Sequence, residues 1–214
     1  MKRLQIDDLE RILCLGAHSD DVEIGAGGTV LELLARHPDL HVDWAVFAVA
    51  DSARADEARA SAARFLEGAA SYDLHLFDFR DGFLPAQHTE VKDQFERLKG
   101  LIQPDLILTH HHDDAHQDHR LVSELTWNTW RDHVILEYEI VKWDGDLSRP
   151  NVYVPISSER QDEKIQILLD VFASQRGKDW FDEETYRSLA RLRGVECRSD
   201  SRYAEAFHAR KLVL

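Results

Sequence analysis

Short apolar runs alternate with amphipathic segments through the first two-thirds of this chain, and few folds accommodate that order. The runs are Arg11–Ala17, Val42–Ala50, Leu74–Phe79, Asp105–Thr109 and Val134–Val141. Each is rich in branched or aromatic apolar residues and short enough for a strand buried on both faces. Between them, Asp56–Leu66 has Ala, Arg and Glu at helical spacing. Glu90–Ile102 places Val91, Phe95, Leu98, Leu101 and Ile102 on one helical face, and His119–Trp130 is a further helical pattern. A shorter helix, Thr29–Ala35, follows what reads as a glycine turn, Gly25-Ala26-Gly27-Gly28. Strand and helix in alternation predict an α/β fold with a mostly parallel sheet covered by helices on both faces, a three-layer sandwich.

The pattern changes after about residue 142. Trp143-Asp144-Gly145-Asp146 reads as a turn, Val152–Ile156 as a strand, and Glu159–Ala173 as a helix with Ile165, Leu168, Leu169 and Phe172 on one side. Tyr186–Leu192 is helical as well. We expect residues 1–214 to form one domain, with 1–141 as the α/β core and 142–214 as an added C-terminal layer on the same sheet.

In parallel sheets, ligands bind beyond the carboxyl ends of the strands, so the loops after the first and fourth apolar runs carry the chemistry. The first loop is Gly16-Ala17-His18-Ser19-Asp20-Asp21-Val22-Glu23. Its glycines invite a dinucleotide-binding reading, but the G-x-G-x-x-G spacing is absent and two carboxylates there would repel a pyrophosphate. A metal fits better. Imidazole nitrogen and carboxylate oxygen are both good donors to zinc, and His18 and Asp21, three apart, can converge on one ion. Asp20 is then left free to accept a proton from water on the metal. The second loop, Thr109–His119, holds five of the chain's 12 histidines. Clustered imidazoles and carboxylates are costly to bury unless paired, so packing does not account for them. Asp114 and Asp118 stand where a carboxylate is needed to orient a ligating ring.

Ala17-His18-Ser19-Asp20-Asp21-Val22-Glu23-Ile24-Gly25 with Gly27-Gly28-Thr29 resembles the opening motif of the PIG-L/LmbE-like deacetylases, and His116-Gln117-Asp118-His119-Arg120 resembles their second motif. The resemblance spans roughly residues 11–130. It implies a Rossmann-like α/β fold and a Zn2+-dependent enzyme that removes acetyl groups from N-acetylglucosamine-type sugars and related amides. It further implies His18, Asp21 and His119 as zinc ligands and Asp20 as general base. His116 would stabilise the oxyanion as a protonated imidazole, Asp118 would tune it, and Arg54 would stand at the mouth of the site. Arg80-Asp81-Gly82 resembles a family loop near the site. Ser19 and Gln117 replace the usual prolines and Val22 the usual glutamate; none of the three is a ligand in this scheme.

The formal charge of −14, from 40 acidic and 26 basic residues, disfavours nucleic acid and anionic membranes as partners. No apolar stretch approaches the length of a membrane span. The first eight residues lack the apolar segment of a secretion signal, so a cytoplasmic address is expected. Cys14 and Cys197 are too few and too isolated for a disulfide framework or a zinc ribbon, and Cys14 reads as a core residue. The expected partner is a small N-acetylated sugar or conjugate; oligomeric state is left open, a homo-oligomer included. Alternatives are a zinc hydrolase of another amide or an N-glycosidic bond, and a metal-binding module without catalysis. Trp143, Trp180 and Phe181 are aromatic enough to stack on sugar rings, although packing within the added layer is the more economical account. Tyr203–Phe207 is a candidate to return to the rim of the site.

Overall fold

The computed structural model describes Ile6 and residues 8–213; most of the segment behind the expected cytoplasmic address lies outside the described residues. The five apolar runs form parallel strands β1 (Arg11–Gly16), β2 (His41–Val46), β3 (Ser71–Leu76), β4 (Leu106–His110) and β5 (Val134–Tyr138). Helices α1 (Asp21–Arg36), α2 (Ser52–Phe65), α3 (His88–Leu101) and α4 (Gln117–Thr129) lie between or after them. The last third adds β6 (Val152–Ile156), α5 (Ser158–Val171), α6 (Glu183–Cys197) and β7 (Tyr203–His208). One seven-stranded sheet results, in the order β3-β2-β1-β4-β5-β7-β6. β7 runs antiparallel to both of its neighbours. The mixed α/β architecture with a mostly parallel sheet is the expected one. Among the described residues no helix is long and apolar enough to cross a membrane.

β1 shows why such runs must be apolar throughout. Ile12 and Cys14 point into a core closed by α1, α2 and α5, while Leu13 and Leu15 point into a second core closed by α3 and α4. All four are fully buried, as period-2 alternation requires of a strand covered on both faces. The chain moves from β1 outward to β3 and then crosses to β4 on the other side of β1. That reversal opens a crevice at the carboxyl ends of β1 and β4, which are the strands that lead into the two motifs.

Three elements depart from the sequence reading. α1 starts at Asp21 rather than after the glycines. Those glycines do not turn the chain; they let other groups approach the helix. A Cβ on Gly25 would stand 2.3 Å from the Tyr138 ring, and one on Gly27 would stand 2.7 Å from Phe65. α2 starts at Ser52, with Asp51 accepting a capping hydrogen bond from the Ala53 amide, which puts Arg54 on its first turn. Tyr203–Phe207 does not return to the rim of the site: it is β7, inside the sheet. Its alternation is masked by Glu205, which is buried and neutralised by Lys164 Nζ at 2.6 Å and by the amides of Gly28 and Thr29.

Candidate metal centre

His18 and Asp20 occupy the turn after β1, and Asp21 is the first residue of α1. His116 caps α4, and Asp118 and His119 sit in its first turn. Both helices point their amino ends at the crevice. That end of a helix carries unsatisfied N–H groups and favours carboxylates.

Three side chains converge. His18 Nδ1 lies 3.1 Å from His119 Nε2 and 3.2 Å from Asp21 Oδ2, and His119 Nε2 lies 3.4 Å from Asp21 Oδ1. Donors about 2.0–2.1 Å from a tetrahedral ion are separated by about 3.3 Å. The placement of protons agrees. His119 Nδ1 faces Asp114 Oδ2 at 3.0 Å, and His18 Nε2 faces Asp81 Oδ1 at 3.0 Å and Asp118 Oδ2 at 3.2 Å. Each imidazole thus donates a proton outward to a carboxylate and turns its other nitrogen inward, the usual arrangement of ligating histidines. Two inward lone pairs and a carboxylate oxygen at these distances repel one another unless a cation or extra protons stand between them. The donor set fits a divalent ion of zinc type.

The electrostatics report the same field. Burial disfavours the imidazolium of His18, but Asp21, Asp118 and Asp81 outweigh it and hold the group well above its ordinary value. His119 is raised against burial by Asp21 and Asp114. Asp21 is held well below the carboxylate range, because His119, His110 and His18 overcome its burial.

The flanking residues divide into two groups. Asp20 is buried, and its Oδ1 accepts from Arg54 Nη2 at 2.5 Å. Arg54 is anchored in turn by Glu57 at 2.7 Å and Ser174 at 2.9 Å. On the other side, the His116 ring lies 4.8 Å from that of His18 and 4.6 Å from that of His119. Its Nδ1 accepts from the Asp118 amide at 3.3 Å, so the remaining proton sits on Nε2. Burial, then His119 and His18, lower its pKa. Nε2 is therefore the nitrogen from which His116 can donate. The charge of Asp118 favours the imidazolium of His116 against the burial that lowers it. Its carboxylate is taken up by His18 and by the amides of Gly82 at 2.7 Å and Leu84 at 3.1 Å, and its hydrogen bond with His116 runs through its backbone amide.

Three contributors were not singled out for a role from sequence. His110 stacks on His119 with centroids 4.0 Å apart and places Nε2 3.2 Å from Asp21; its place at the end of β4, inside the histidine run, was the available signal. Lys142 reaches Asp114 at 3.0 Å and Ser174 reaches Arg54; isolated in the last third, neither offers a pattern to read. Glu23, one position beyond the family's usual glutamate, is buried against Ser61. Burial, with Asp20 and Asp21 nearby, pushes its carboxyl well above the ordinary range.

The model of the PIG-L family, described as GlcNAc-PI de-N-acetylase, matches residues 13–130, a span that holds both loops. The chain belongs to the PIG-L family. Its fold is shared with N,N'-diacetylchitobiose deacetylase from Pyrococcus horikoshii at 21% identity, covering 94% of this chain and 84% of that one with a TM-score of 0.71. It is shared with the conserved protein TT1542 from Thermus thermophilus at 21% identity, covering 96% of each chain with a TM-score of 0.75. It is shared equally with GalB, the 4-carboxy-2-hydroxymuconate hydratase from Pseudomonas putida, at 19% identity, covering 96% of this chain and 98% of that one with a TM-score of 0.76. A deacetylase and a hydratase on one scaffold show that the fold does not choose the reaction. No curated protein matches the sequence.

Proposed function

We propose that this PIG-L member is a zinc-dependent N-deacetylase that cleaves the acetamide of an N-acetylglucosamine-type sugar conjugate, with residues 1–214 acting as one domain. The observation that carries this reading is the convergence of His18 Nδ1, His119 Nε2 and the Asp21 carboxylate within 3.1–3.4 Å of one another. Asp20 stands beside them on one side and His116 on the other.

His18, Asp21 and His119 would hold the ion, leaving a coordination position open as catalytic zinc sites do. A bound zinc ion supplies Lewis acidity, which activates water and polarises the amide carbonyl. Asp20 is placed to take the proton of the attacking water. Arg54 holds that carboxylate by one oxygen, which fixes its direction and leaves the second oxygen for the proton. His116 donates from Nε2 to the oxygen on which charge develops, a contribution typically worth about 3–4 kcal/mol. The proton collected by Asp20 returns to the amine nitrogen as the C–N bond breaks, and acetate and a free amino sugar leave. Asp114 and Asp118 keep the two ligating rings in the required tautomers.

The test is acetate release by the zinc-loaded protein across free, nucleotide-linked and lipid-linked N-acetyl sugars. Turnover that is chelator-sensitive and collapses in Asp20→Asn with zinc retained supports the reading. Zinc binding without acetate release from any N-acetyl compound overturns it.

A further inference from the structure

Two segments outside the family-matched span reach the residues around the metal donors. One is the loop 142–146 after β5. Lys142 Nζ ties it to Asp114 Oδ1 at 3.0 Å, and Asp146 Oδ2 accepts from the Ala115 amide at 2.7 Å. The other is the stretch 173–182 before α6. Ser174 ties it to Arg54 and to Glu57, whose Oε1 accepts from the Ser174 amide at 2.8 Å. The two segments join at Trp143, whose indole N–H donates to Asp179 Oδ1. From His119 the contacts run through Asp114 and Lys142 to Trp143. From there they return through the second segment to Arg54 and Asp20. Both segments are thereby linked to residues that contact the metal donors or Asp20.

Within these segments the three aromatic candidates separate. Phe181 is buried against Phe172 and Tyr186 and belongs to the core. Trp180 is partly buried and packed against that core. Trp143 is 66% exposed. Its contact with Trp180 is perpendicular, with centroids 6.0 Å apart, and leaves at least one face of the indole open. Its indole is held at one edge by Asp179, and its neighbour Lys142 is tied to Asp114 behind His119.

Resting on the deacetylase reading above, we infer that Trp143 is the stacking platform for a second pyranose ring of the substrate, adjacent to the ring that carries the acetamide. One face of a pyranose is a patch of C–H groups that packs on an indole, whose broad apolar surface and fixed N–H suit it to half-wet sites. Charge does not select the occupant: Asp144 is 44% exposed and Lys142 is paired with Asp114 and Asp146, while Lys178 of the second segment stands 5.1 Å over the Trp180 ring. The exposed indole of Trp143 itself favours the apolar face of an uncharged sugar.

The probes are N-acetylglucosamine and N,N'-diacetylchitobiose, with acetate release measured on the zinc-loaded protein. Trp143→Ala is expected to lower the ratio of kcat/KM for the disaccharide to that for the monosaccharide by about tenfold, chiefly through KM, and Trp143→Phe to recover most of it. Zinc content and melting temperature establish that both variants are folded. A ratio in Trp143→Ala within about twofold of the parent overturns the inference. Calorimetric binding of the disaccharide to the zinc-loaded Asp20→Asn protein separates this inference from the reaction. Binding that weakens about tenfold with Trp143→Ala, in a protein whose parent releases no acetate, keeps the platform and removes the deacetylase reading. Binding indifferent to Trp143 removes the platform whatever the turnover, and absence of both binding and turnover removes both.

Discussion

Asp114 touches a proposed ligand of the ion but not the ion, so its replacement measures how much the surrounding shell contributes to metal affinity. Its Oδ2 accepts from His119 Nδ1 at 3.0 Å. Its Oδ1 accepts from the His116 amide at 2.8 Å and lies 3.0 Å from Lys142 Nζ. Asp114→Asn keeps an oxygen for the ring N–H and loses the charge. Asp114→Ala loses both, so His119 is free to move its proton to the nitrogen meant for the metal. Carboxylates behind ligating histidines are commonly worth about 10–100-fold in affinity, or about 1.4–2.7 kcal/mol. The Asn variant is expected near the lower end and the Ala variant near the upper. Lys142 retains Asp146 at 2.5 Å, so the loop stays anchored and the melting temperature of the metal-free protein should move less than the affinity does. Competition for zinc against a chromophoric chelator at neutral pH reads the constant. Asp113→Asn is the control, because that side chain is 75% exposed and pairs with His112. A Kd for Asp114→Ala within about twofold of the parent, or an equal loss in Asp113→Asn, would refute the assignment of Asp114 as the group that orients His119.

Three further outcomes follow from other contacts. Arg54→Gln should lower kcat by about 10–100-fold through loss of Asp20 alignment while zinc affinity holds, as steady-state kinetics and metal analysis will show; an unchanged kcat removes Arg54 from the site. Gly25→Ala forces a Cβ to within 2.3 Å of the buried Tyr138 ring and 2.9 Å of the Glu139 carbonyl. The ring is tethered by its hydroxyl to Leu15 O at 2.6 Å, so a loss of about 1–3 kcal/mol is expected in urea unfolding. Stability should also fall in acid in two windows. His208 is lowered from 6.5 to about 4 by burial and by His111, so its neutral form belongs to the fold and that contribution is lost as pH drops from 6.5 towards 4. Glu137 is lowered from 4.5 to about 2 by His111, His112 and Arg210 against burial, so its contribution is lost below 4.5 as pH approaches 2. Denaturant midpoints across pH check both, and His208→Gln should shrink the first window without touching the second, the remainder being carried by His110, which burial and His119 also lower to about 4.

The apolar runs and helical faces were legible because strand and helix periodicity are local properties, and β1 with its split between two cores follows directly from its residues. So were His18, Asp20, Asp21, His116 and His119, because chemistry-bearing residues were concentrated immediately after two buried strands. β7 was not legible: Glu205 interrupts its alternation, and the partner that neutralises it, Lys164, lies 41 residues away in sequence. The glycines after Asp21 were read as a turn because spacing cannot distinguish a residue that bends the chain from one that admits a neighbouring ring. The partners of the Asp118 carboxylate were likewise decided by folding. A proton goes to whichever nitrogen lacks a donor nearby, and a carboxylate to whichever amides and rings surround it. Local pattern therefore carried the elements and the identity of the candidate donors. The orientation of His18 by Asp81 and Asp118 and the hold of Asp179 on Trp143 arose from contacts between residues tens of positions apart, which no window along the chain contains.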